Sequence, residues 1–204
     1  LQECYAILSG KIRQEGKVAY LSFDDGWQSN LNLIPIIDKY QAPITIFVSI
    51  DPLLSGNFWW EYALADGIEL RNKMKLMSYK KFVSSLESLK KKYSLERSVL
   101  TEQELVKIAS HPLVSIQSHT MSHPILTNCD DEILSYELNS SKAYLENLLH
   151  HKIEAFSYPN GNFSNREIEA VKKAGYKMAF TTEYIPIQIN HTNLYRIPRM
   201  AMNT

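Results

Sequence analysis

Hydrophobic residues along this chain fall into short apolar runs, separated by longer stretches with apolar residues at helical spacing. The runs are rich in β-branched and aromatic residues and therefore predict strands. They cover residues 17–23, 44–50, 113–117, 155–158 and 177–181, and a last strand is expected over 195–200. Helical spacing predicts helices over 31–40, 130–149 and 165–174, and a largely helical region over 60–110.

The alternation of strands and helices is typical of parallel strands joined by helical crossovers. We therefore expect an α/β fold, a barrel-like or partly open ring of parallel strands with helices outside. Residues 51–58 contain Pro, Ser and Gly and predict a loop. Pro35 is expected near the first turn of its helix, or to kink it. No repeat or linker interrupts the chain, which favours a single domain.

Two adjacent carboxylates, Asp24 and Asp25, end the first predicted strand and precede Gly26. Carboxylates this close repel each other unless they share a cation or a proton. Their side chains point in different directions, so one can bind a metal ion while the other accepts a proton. The alternative interpretation is an ordinary turn, because Asp-Gly is a common turn dipeptide.

Two histidines, His119 and His123, follow the predicted strand over 113–117 and are four residues apart. On a helical turn this spacing places both imidazoles on one face, within reach of one metal ion. Two neutral imidazoles and one carboxylate form a common catalytic metal site that leaves positions for water and substrate. The alternative is that one histidine lies in the core and the other on the surface.

A third segment, residues 156–163, carries aromatic residues, Pro and Gly at the end of another predicted strand. A tight turn there could direct backbone N–H groups into the site as an oxyanion hole. The alternative is an ordinary turn into a helix capped by Ser164 or Asn165.

Four further side chains are candidates for the same site. Near residue 198, Arg196 and Arg199 could lie on the surface, or one could orient a catalytic carboxylate through a bidentate pair. Trp60 could stack on a sugar ring or pack in the core. His191 is the remaining histidine that we consider as a possible acid.

The charge balance narrows the choice of partners. The chain has 204 residues, of which 22 are basic and 22 acidic. It carries no positive excess of the kind that attracts nucleic acid or an anionic membrane surface. A neutral partner, such as an uncharged sugar polymer, is compatible with this composition.

Other sequence signals bear on compartment and cofactor. Cys4 and Cys129 allow one disulfide but lack the CxxC spacing of a thiolate zinc site. No segment approaches the roughly 18 apolar residues that span a bilayer, and no signal-peptide pattern is visible. Because the chain begins with Leu1, we expect a trimmed N-terminus from which a leader could be missing. An envelope or extracytoplasmic location is favoured, and a cytoplasmic one stays open.

In this order, these segments resemble the polysaccharide deacetylases of carbohydrate esterase family 4, which carry the NodB homology domain. Residues 23–26 (Phe-Asp-Asp-Gly) match the first family motif, and residues 118–124 (Ser-His-Thr-Met-Ser-His-Pro) match the second. Residues 156–161 are similar to a variant of the third, and residues 24–60 to the subgroup of surface-polysaccharide gene clusters. The resemblance implies a distorted or incomplete (β/α)7 barrel, with residues 1–204 as one domain that could be truncated at either end.

The resemblance also implies a role for each site residue. Asp25, His119 and His123 would bind a divalent metal ion, most often zinc in this family, with cobalt or nickel also used. Asp24 would be the general base, and the backbone N–H of Asn160 would help to hold the oxyanion. The reaction would be hydrolysis of an N-acetyl group, or of an O-acetyl group, from an acetylated amino-sugar polysaccharide or oligosaccharide.

This sequence departs from the family pattern in two places. The third motif usually has an arginine where Ser157 stands, so Arg199 is the candidate to brace the base. The C-terminal strand ending in His-Asp, which supplies the general acid, is absent. Trp60, Tyr158 and Pro159 are the candidates for substrate binding. Two alternatives stay open, a degenerate domain that binds glycan without turnover and a hydrolase of a non-sugar C–N bond on the same scaffold.

Overall fold

The structure, a computed structural model, describes residues 1–187 and 193–202. Its single sheet has the strand order β1-β2-β3-β4-β5, and every neighbouring pair is parallel. The strands are β1 (Leu21–Phe23), β2 (Ile44–Val48), β3 (Val114–Ser118), β4 (Ala155–Ser157) and β5 (Met178–Phe180). The helices in the described residues are α1 (Gln2–Leu8), α2 (Ile34–Tyr40), α3 (Ile50–Ser55), α4 (Trp59–Asp66), α5 (Ile68–Met74), α6 (Tyr79–Lys92), α7 (Glu102–Ala109), α8 (Asp131–Leu149) and α9 (Asn165–Lys173).

The predicted α/β fold is confirmed as a curled, incomplete barrel of parallel strands with helices around it. The described residues contribute five strands, where about seven were expected. Strand β2 is buried along its whole length, as expected for a parallel strand covered on both faces. The largest apolar cluster lies between the sheet and its helices, where Ile46 and Ile116 pack with Leu105, Leu138 and other core residues.

The segment after β5 brings the two edges of the sheet together. Ile197 forms a single parallel bridge with Phe180 of β5. Tyr20, just before β1, stacks on the Phe180 ring with the ring centroids 5.3 Å apart. The predicted strand over 195–200 is therefore reduced to one bridged residue, and the predicted strand over 17–23 is reduced to β1. Together these contacts curl the sheet toward a closed ring.

The predicted loop over 51–58 is wrong, because most of it forms α3. Pro52 lies in the first turn of this helix, where a missing backbone N–H breaks no intrahelical hydrogen bond. Gly56 ends the helix in the left-handed conformation, with φ 98°. Proline and glycine therefore mark the two ends of a short helix. The predicted helical region over 60–110 is confirmed as α4 to α7, with an extended stretch before α7.

None of the helices in the described residues is both long enough and apolar enough to cross a membrane.

Candidate metal centre

Polar side chains gather at one edge of the sheet, where the parallel strands end. Asp24 and Asp25 follow β1, and His119 follows β3. Ser157 is the last residue of β4, and Arg199 lies in the segment after β5. The carboxyl ends of parallel strands are where active sites of α/β barrels form, so the topology brings these distant residues together.

A three-residue turn separates the directions of the two adjacent carboxylates. The N–H of Gly26 donates to the carbonyl of Asp24 at 3.0 Å, and Asp25 between them has φ 78°. A γ-turn with positive φ is rare and strained. It directs Asp24 toward Arg199 and Asp25 toward the histidines, so the two carboxylates have different partners.

Gly26 itself has φ 80°, and a Cβ added there would lie 3.2 and 3.3 Å from the two methyl carbons of Val48. We expect Gly26→Ala to lower the free energy of unfolding by about 2 kcal/mol or more, from backbone strain and overpacking together. Chemical denaturation measures this loss. Gly10→Ala is the matched control, since Gly10 has φ 73° with no atom near the added Cβ. Equal losses in the two variants would contradict a role for Val48.

The histidines lie in a loop, and the predicted helical turn is wrong. Thr120 has φ 75° and His123 has φ 54°, so the backbone reverses twice in the left-handed region. This path still brings the imidazoles together, with the two Nε2 atoms 3.1 Å apart. Asp25 Oδ1 lies 3.6 Å from Nε2 of His119 and 3.4 Å from Nε2 of His123. Three donor atoms therefore converge on one point.

The donor set fits a divalent metal ion. In a four-coordinate zinc site with bonds of 2.0–2.2 Å, neighbouring ligand atoms lie about 3.4 Å apart, close to the separations of these atoms. His119 Nδ1 lies 2.7 Å from the carbonyl of Ser157, which only accepts hydrogen bonds. Nδ1 therefore carries the proton, and Nε2 presents a lone pair toward the cluster.

The pKa shifts of Asp25, His119 and His123 also favour a bound cation. Burial lowers the pKa of His119 and holds the pKa of His123 well below its usual value, so both imidazoles are neutral at pH 7. Burial and the negative charge of Asp24 raise the pKa of Asp25 to about 7. A carboxylate that is costly to ionise beside two neutral imidazoles favours a bound cation.

Asp24 is held by a bidentate ion pair. Arg199 donates from its two terminal nitrogens to Oδ1 and Oδ2 of Asp24, each at 2.7 Å. Ser157 Oγ lies 3.2 Å from Asp24 Oδ2 and accepts from Arg199 at 2.8 Å. The guanidinium lies over the rings of Phe47 and Phe180, at 5.6 and 5.9 Å from their centroids. The two rings are themselves in contact, with centroids 5.3 Å apart, so they form one aromatic surface against the guanidinium.

This pairing controls the charge of Asp24. Burial alone would raise the pKa of its carboxyl group, but His119 and the hydrogen bonds and charge of Arg199 outweigh burial and lower that pKa. Asp24 is therefore ionised at neutral pH. The two neighbouring carboxyl groups have pKa values shifted in opposite directions, an arrangement typical of catalytic carboxylate pairs.

Aromatic side chains form one wall of the site. Trp27 Nε1 donates to Asp25 Oδ2 at 3.1 Å. The half-buried Trp60 stacks on Phe58, with centroids 4.1 Å apart, and contacts the His123 ring edge-on at 4.7 Å. Trp27 was not predicted as part of the site, and its only sequence signal is its position directly after Gly26.

The segment predicted to supply an oxyanion hole divides into buried and exposed parts. Tyr158 is fully buried, with its hydroxyl donating to the carbonyl of Tyr195 at 3.0 Å, and Pro159 is also buried. Both side chains pack in the core, and their role in substrate binding stays a prediction. Asn160 is exposed, with φ 56°, and its side-chain oxygen accepts from Lys75 at 2.9 Å. Within residues 1–187 and 193–202, its backbone N–H donates no hydrogen bond.

A buried carboxylate that the sequence analysis missed supports the histidine loop. Glu137 on α8 accepts hydrogen bonds from the backbone N–H groups of Met121 and Ser122, each at 2.9 Å, through Oε2. Its Oε1 accepts from the hydroxyls of Ser122 at 2.6 Å and Tyr79 at 3.2 Å. Its sequence signal is a charged residue on the apolar face of α8, next to Leu138.

Arg196 and His111 lie away from the site. Arg196 pairs with Glu183, and His111 pairs with Asp38 at 3.0 Å, both away from the convergent donors. His191 lies outside the described residues. Both cysteines are free thiols.

Sequence comparisons give one consistent result. The profile of the family described as polysaccharide deacetylase matches residues 11–179. The chain is 25% identical over 183 residues to the Bacillus subtilis protein named "Putative polysaccharide deacetylase YxkH", covering 89% of this chain and 50% of that protein. It is 23% identical over 198 residues to the poly-beta-1,6-N-acetyl-D-glucosamine N-deacetylase of Staphylococcus epidermidis, covering 95% and 58%. The chain therefore spans about half the length of these relatives.

A solved structure supports the same fold. IcaB from Ammonifex degensii superposes with a TM-score of 0.67 at 17% identity, covering 99% of this chain and 75% of that one. At this identity the similarity shows the fold alone.

Proposed function

Because this chain belongs to the polysaccharide deacetylase family, we propose that it hydrolyses acetyl groups, chiefly N-acetyl groups, on a cell-envelope or exported polysaccharide. The observation that carries this proposal is the convergence of Asp25, His119 and His123 beside an arginine-paired Asp24. A metal site next to a separately oriented carboxylate has the two parts that metal-assisted hydrolysis needs.

The metal would be held by Asp25 and by Nε2 of His119 and His123. Two imidazoles and a carboxylate are ligands that suit zinc best among common divalent ions, and cobalt or nickel also accept them. A divalent ion there would polarise the acetyl carbonyl and lower the pKa of the attacking water.

Asp24 would accept the proton of that water. Both of its oxygens bind Arg199, but two carboxylate oxygens offer about four lone-pair positions, so a position remains for the proton. As the water oxygen bonds to the acetyl carbon, its proton moves to Asp24. The C–N bond then breaks to give acetate and a free amine. The leaving nitrogen takes a proton from solvent, and Asp24 returns its proton to solvent. Arg199 keeps Asp24 ionised before the reaction and fixes its direction.

The backbone N–H of Asn160 would donate to the developing oxyanion. Its exposure and its free N–H among the described residues support this role. Lys75, bonded to the Asn160 side chain, adds positive charge close to the same position.

The substrate class follows from the aromatic wall and from one relative. Trp60 is half-buried beside His123 and presents a ring on which a sugar can stack. The named substrate of the Staphylococcus epidermidis relative suggests β-1,6-linked N-acetylglucosamine polymers as the first choice. A substrate outside the cytoplasm favours an envelope or extracytoplasmic location.

The test is acetate release from N-acetylglucosamine oligomers in β-1,6 and β-1,4 linkage, with zinc supplied to the protein. We expect acetate and free amine to appear in equal amounts from at least one oligomer. Acetyl esters of sugars and non-sugar acetamides complete the panel. Tight oligomer binding without acetate release would favour a degenerate glycan-binding domain, and release only from non-sugar amides would favour another hydrolase on this scaffold.

A further inference from the structure

We propose that Glu137 is a positioning residue, which sets the histidine loop in the shape that binds the metal ion. This inference rests on the metal-dependent function proposed above. Glu137 is fully buried on α8 and bonds the loop backbone between the two histidines, so it acts on the ligands without being one of them.

The loop needs an external support because its backbone is strained. Thr120 has φ 75° and is β-branched, which makes positive φ especially unfavourable. His123 has φ 54°. Strained conformations of this kind persist only where the surrounding structure fixes them. The contacts around residues 119–123 therefore determine where the second imidazole lies.

Several hydrogen bonds hold the carbonyl groups of the loop: Ile50 and Asp51 N–H donate to the carbonyls of Thr120 and Met121 at 3.3 and 2.7 Å, and Trp59 Nε1 donates to that of His123 at 3.0 Å. Ser49 Oγ donates to the carbonyl of His119 at 2.6 Å and fixes the start of the loop. Thr120 Oγ1 accepts from the N–H of His123 at 3.0 Å and fixes its end. Between them, Glu137 alone accepts from the two consecutive N–H groups at the middle of the loop.

Loss of Glu137 would leave those two N–H groups without partners. Met121 and Ser122 are buried, with 9% and 8% of their surface exposed, so water can replace the carboxylate only if the loop moves outward. Such a movement displaces His123, which follows directly. A shift of His123 separates its Nε2 atom from the other donors and weakens metal binding.

Glu137 holds the loop through its hydrogen bonds rather than through its charge. The four bonds to Glu137 divide evenly, with two backbone donors on Oε2 and two hydroxyls on Oε1. A glutamine can retain all four, because its oxygen accepts the backbone pair and its NH₂ donates to hydroxyls that rotate. A methionine fills a similar volume but accepts neither backbone N–H.

The experiment compares metal affinity in Glu137→Met, Glu137→Gln and wild type by competition with a chromogenic zinc chelator, in the absence of substrate. We expect Glu137→Met to bind zinc about 10- to 100-fold more weakly, as for other residues that orient metal ligands. Glu137→Gln should stay within about threefold of wild type. Leu138→Ala is the matched control for general destabilisation, since Leu138 is buried on the same helix and its side chain cannot accept a hydrogen bond from the loop. It should lower the unfolding midpoint and leave zinc affinity unchanged.

If Glu137→Met does not fold, Glu137→Asp replaces it, because the shorter carboxylate cannot reach both N–H groups, and the same loss of affinity is expected. Wild-type affinity in the methionine or aspartate variant, or equal losses in the leucine control, would overturn the proposal. A glutamine variant as weak as the methionine variant would overturn the hydrogen-bonding account. Because zinc affinity is measured without substrate, these outcomes are separate from an absence of acetate release by wild type, which would count against the proposed function alone.

Discussion

Removing the divalent ion with a chelator should abolish acetate release, and restoring zinc or cobalt should return it. Neither of the other groups at the site replaces the metal. The ionised Asp24 can accept a proton, but it does not polarise a carbonyl, and a single backbone N–H at Asn160 supplies only part of the oxyanion stabilisation. Parallel assays of acetate release and metal content check this result. Full activity of metal-free protein would exclude metal-assisted hydrolysis.

A ligand variant separates loss of the site from nonspecific effects of the chelator. His119→Asn removes one of the three convergent donors. We expect zinc affinity to fall by more than about 100-fold, a larger loss than for a residue that only orients a metal ligand. His111→Asn is the matched control, because His111 pairs with the exposed Asp38 and accepts from the N–H of Leu113, near the other end of β3. The control should keep wild-type zinc affinity and turnover. Equal losses in both variants would contradict the assignment of the metal site.

Asp24→Asn should lower kcat by about 10²–10⁴-fold, the usual contribution of a positioned general base, while metal content stays at the wild-type level. The amide keeps the shape of the carboxylate but cannot take the proton of the attacking water. Steady-state kinetics with metal analysis measures both quantities. Unchanged turnover in the metal-loaded variant would exclude Asp24 as the base. Asp38→Asn, which removes an exposed carboxylate far from the site, is the control.

The Asp24→Asn substitution should also lower the free energy of unfolding. Asp24 and Arg199 have side chains 27% and 16% exposed, so their pair is partly screened, and we expect a loss of about 1–3 kcal/mol. Because the pKa of Asp24 is lower in the folded protein, this stabilisation is present at neutral pH and is lost as pH falls through the lowered value. Unfolding free energies of wild type and variant should therefore converge in acid.

Local sequence patterns predicted most of the fold and the residues that converge at the site. The apolar runs predicted the parallel strands, and the residues at the strand ends, Asp25, His119 and His123, are the ones that converge. This worked because a buried parallel strand has a strong local signal and because its end fixes where the next side chains lie. The two histidines and the aspartate pair were found from local patterns, and the family resemblance supplied the choice of Asp25 over Asp24.

Backbone conformation at the ligands was beyond the sequence. The i, i+4 spacing of the histidines is typical of a helical turn, but Thr120 adopts positive φ and the segment becomes a loop. Non-glycine residues in the left-handed region are uncommon, so no propensity predicts them. Tertiary hydrogen bonds surround them, including those that Glu137 accepts from the loop, and the only sequence sign of Glu137 was its position on an apolar helix face.

The burial of Tyr158 was also beyond what the sequence could predict. Tyr158 carries an aromatic ring and a hydroxyl in a site motif, which is as compatible with sugar binding as with core packing. The structure resolves this in favour of the core, because the ring stacks on Phe163 and the hydroxyl reaches the carbonyl of Tyr195. Phe163 follows a turn and Tyr195 is distant in sequence, so the periodicity of the strand did not indicate either partner.

The ion pair between Asp24 and Arg199 joins residues 175 positions apart in sequence. During synthesis, Asp24 is therefore translated long before its partner. At about 5–20 residues per second, roughly 10–35 s pass between translation of the carboxylate and translation of its arginine. Strands β1 to β4 can emerge and begin to pair during that interval, while Asp24 still lacks the guanidinium that orients it. A nascent chain therefore forms the Asp24–Arg199 ion pair only after β5 and the segment behind it have been made, so the carboxylate that we propose as the base is oriented late in folding.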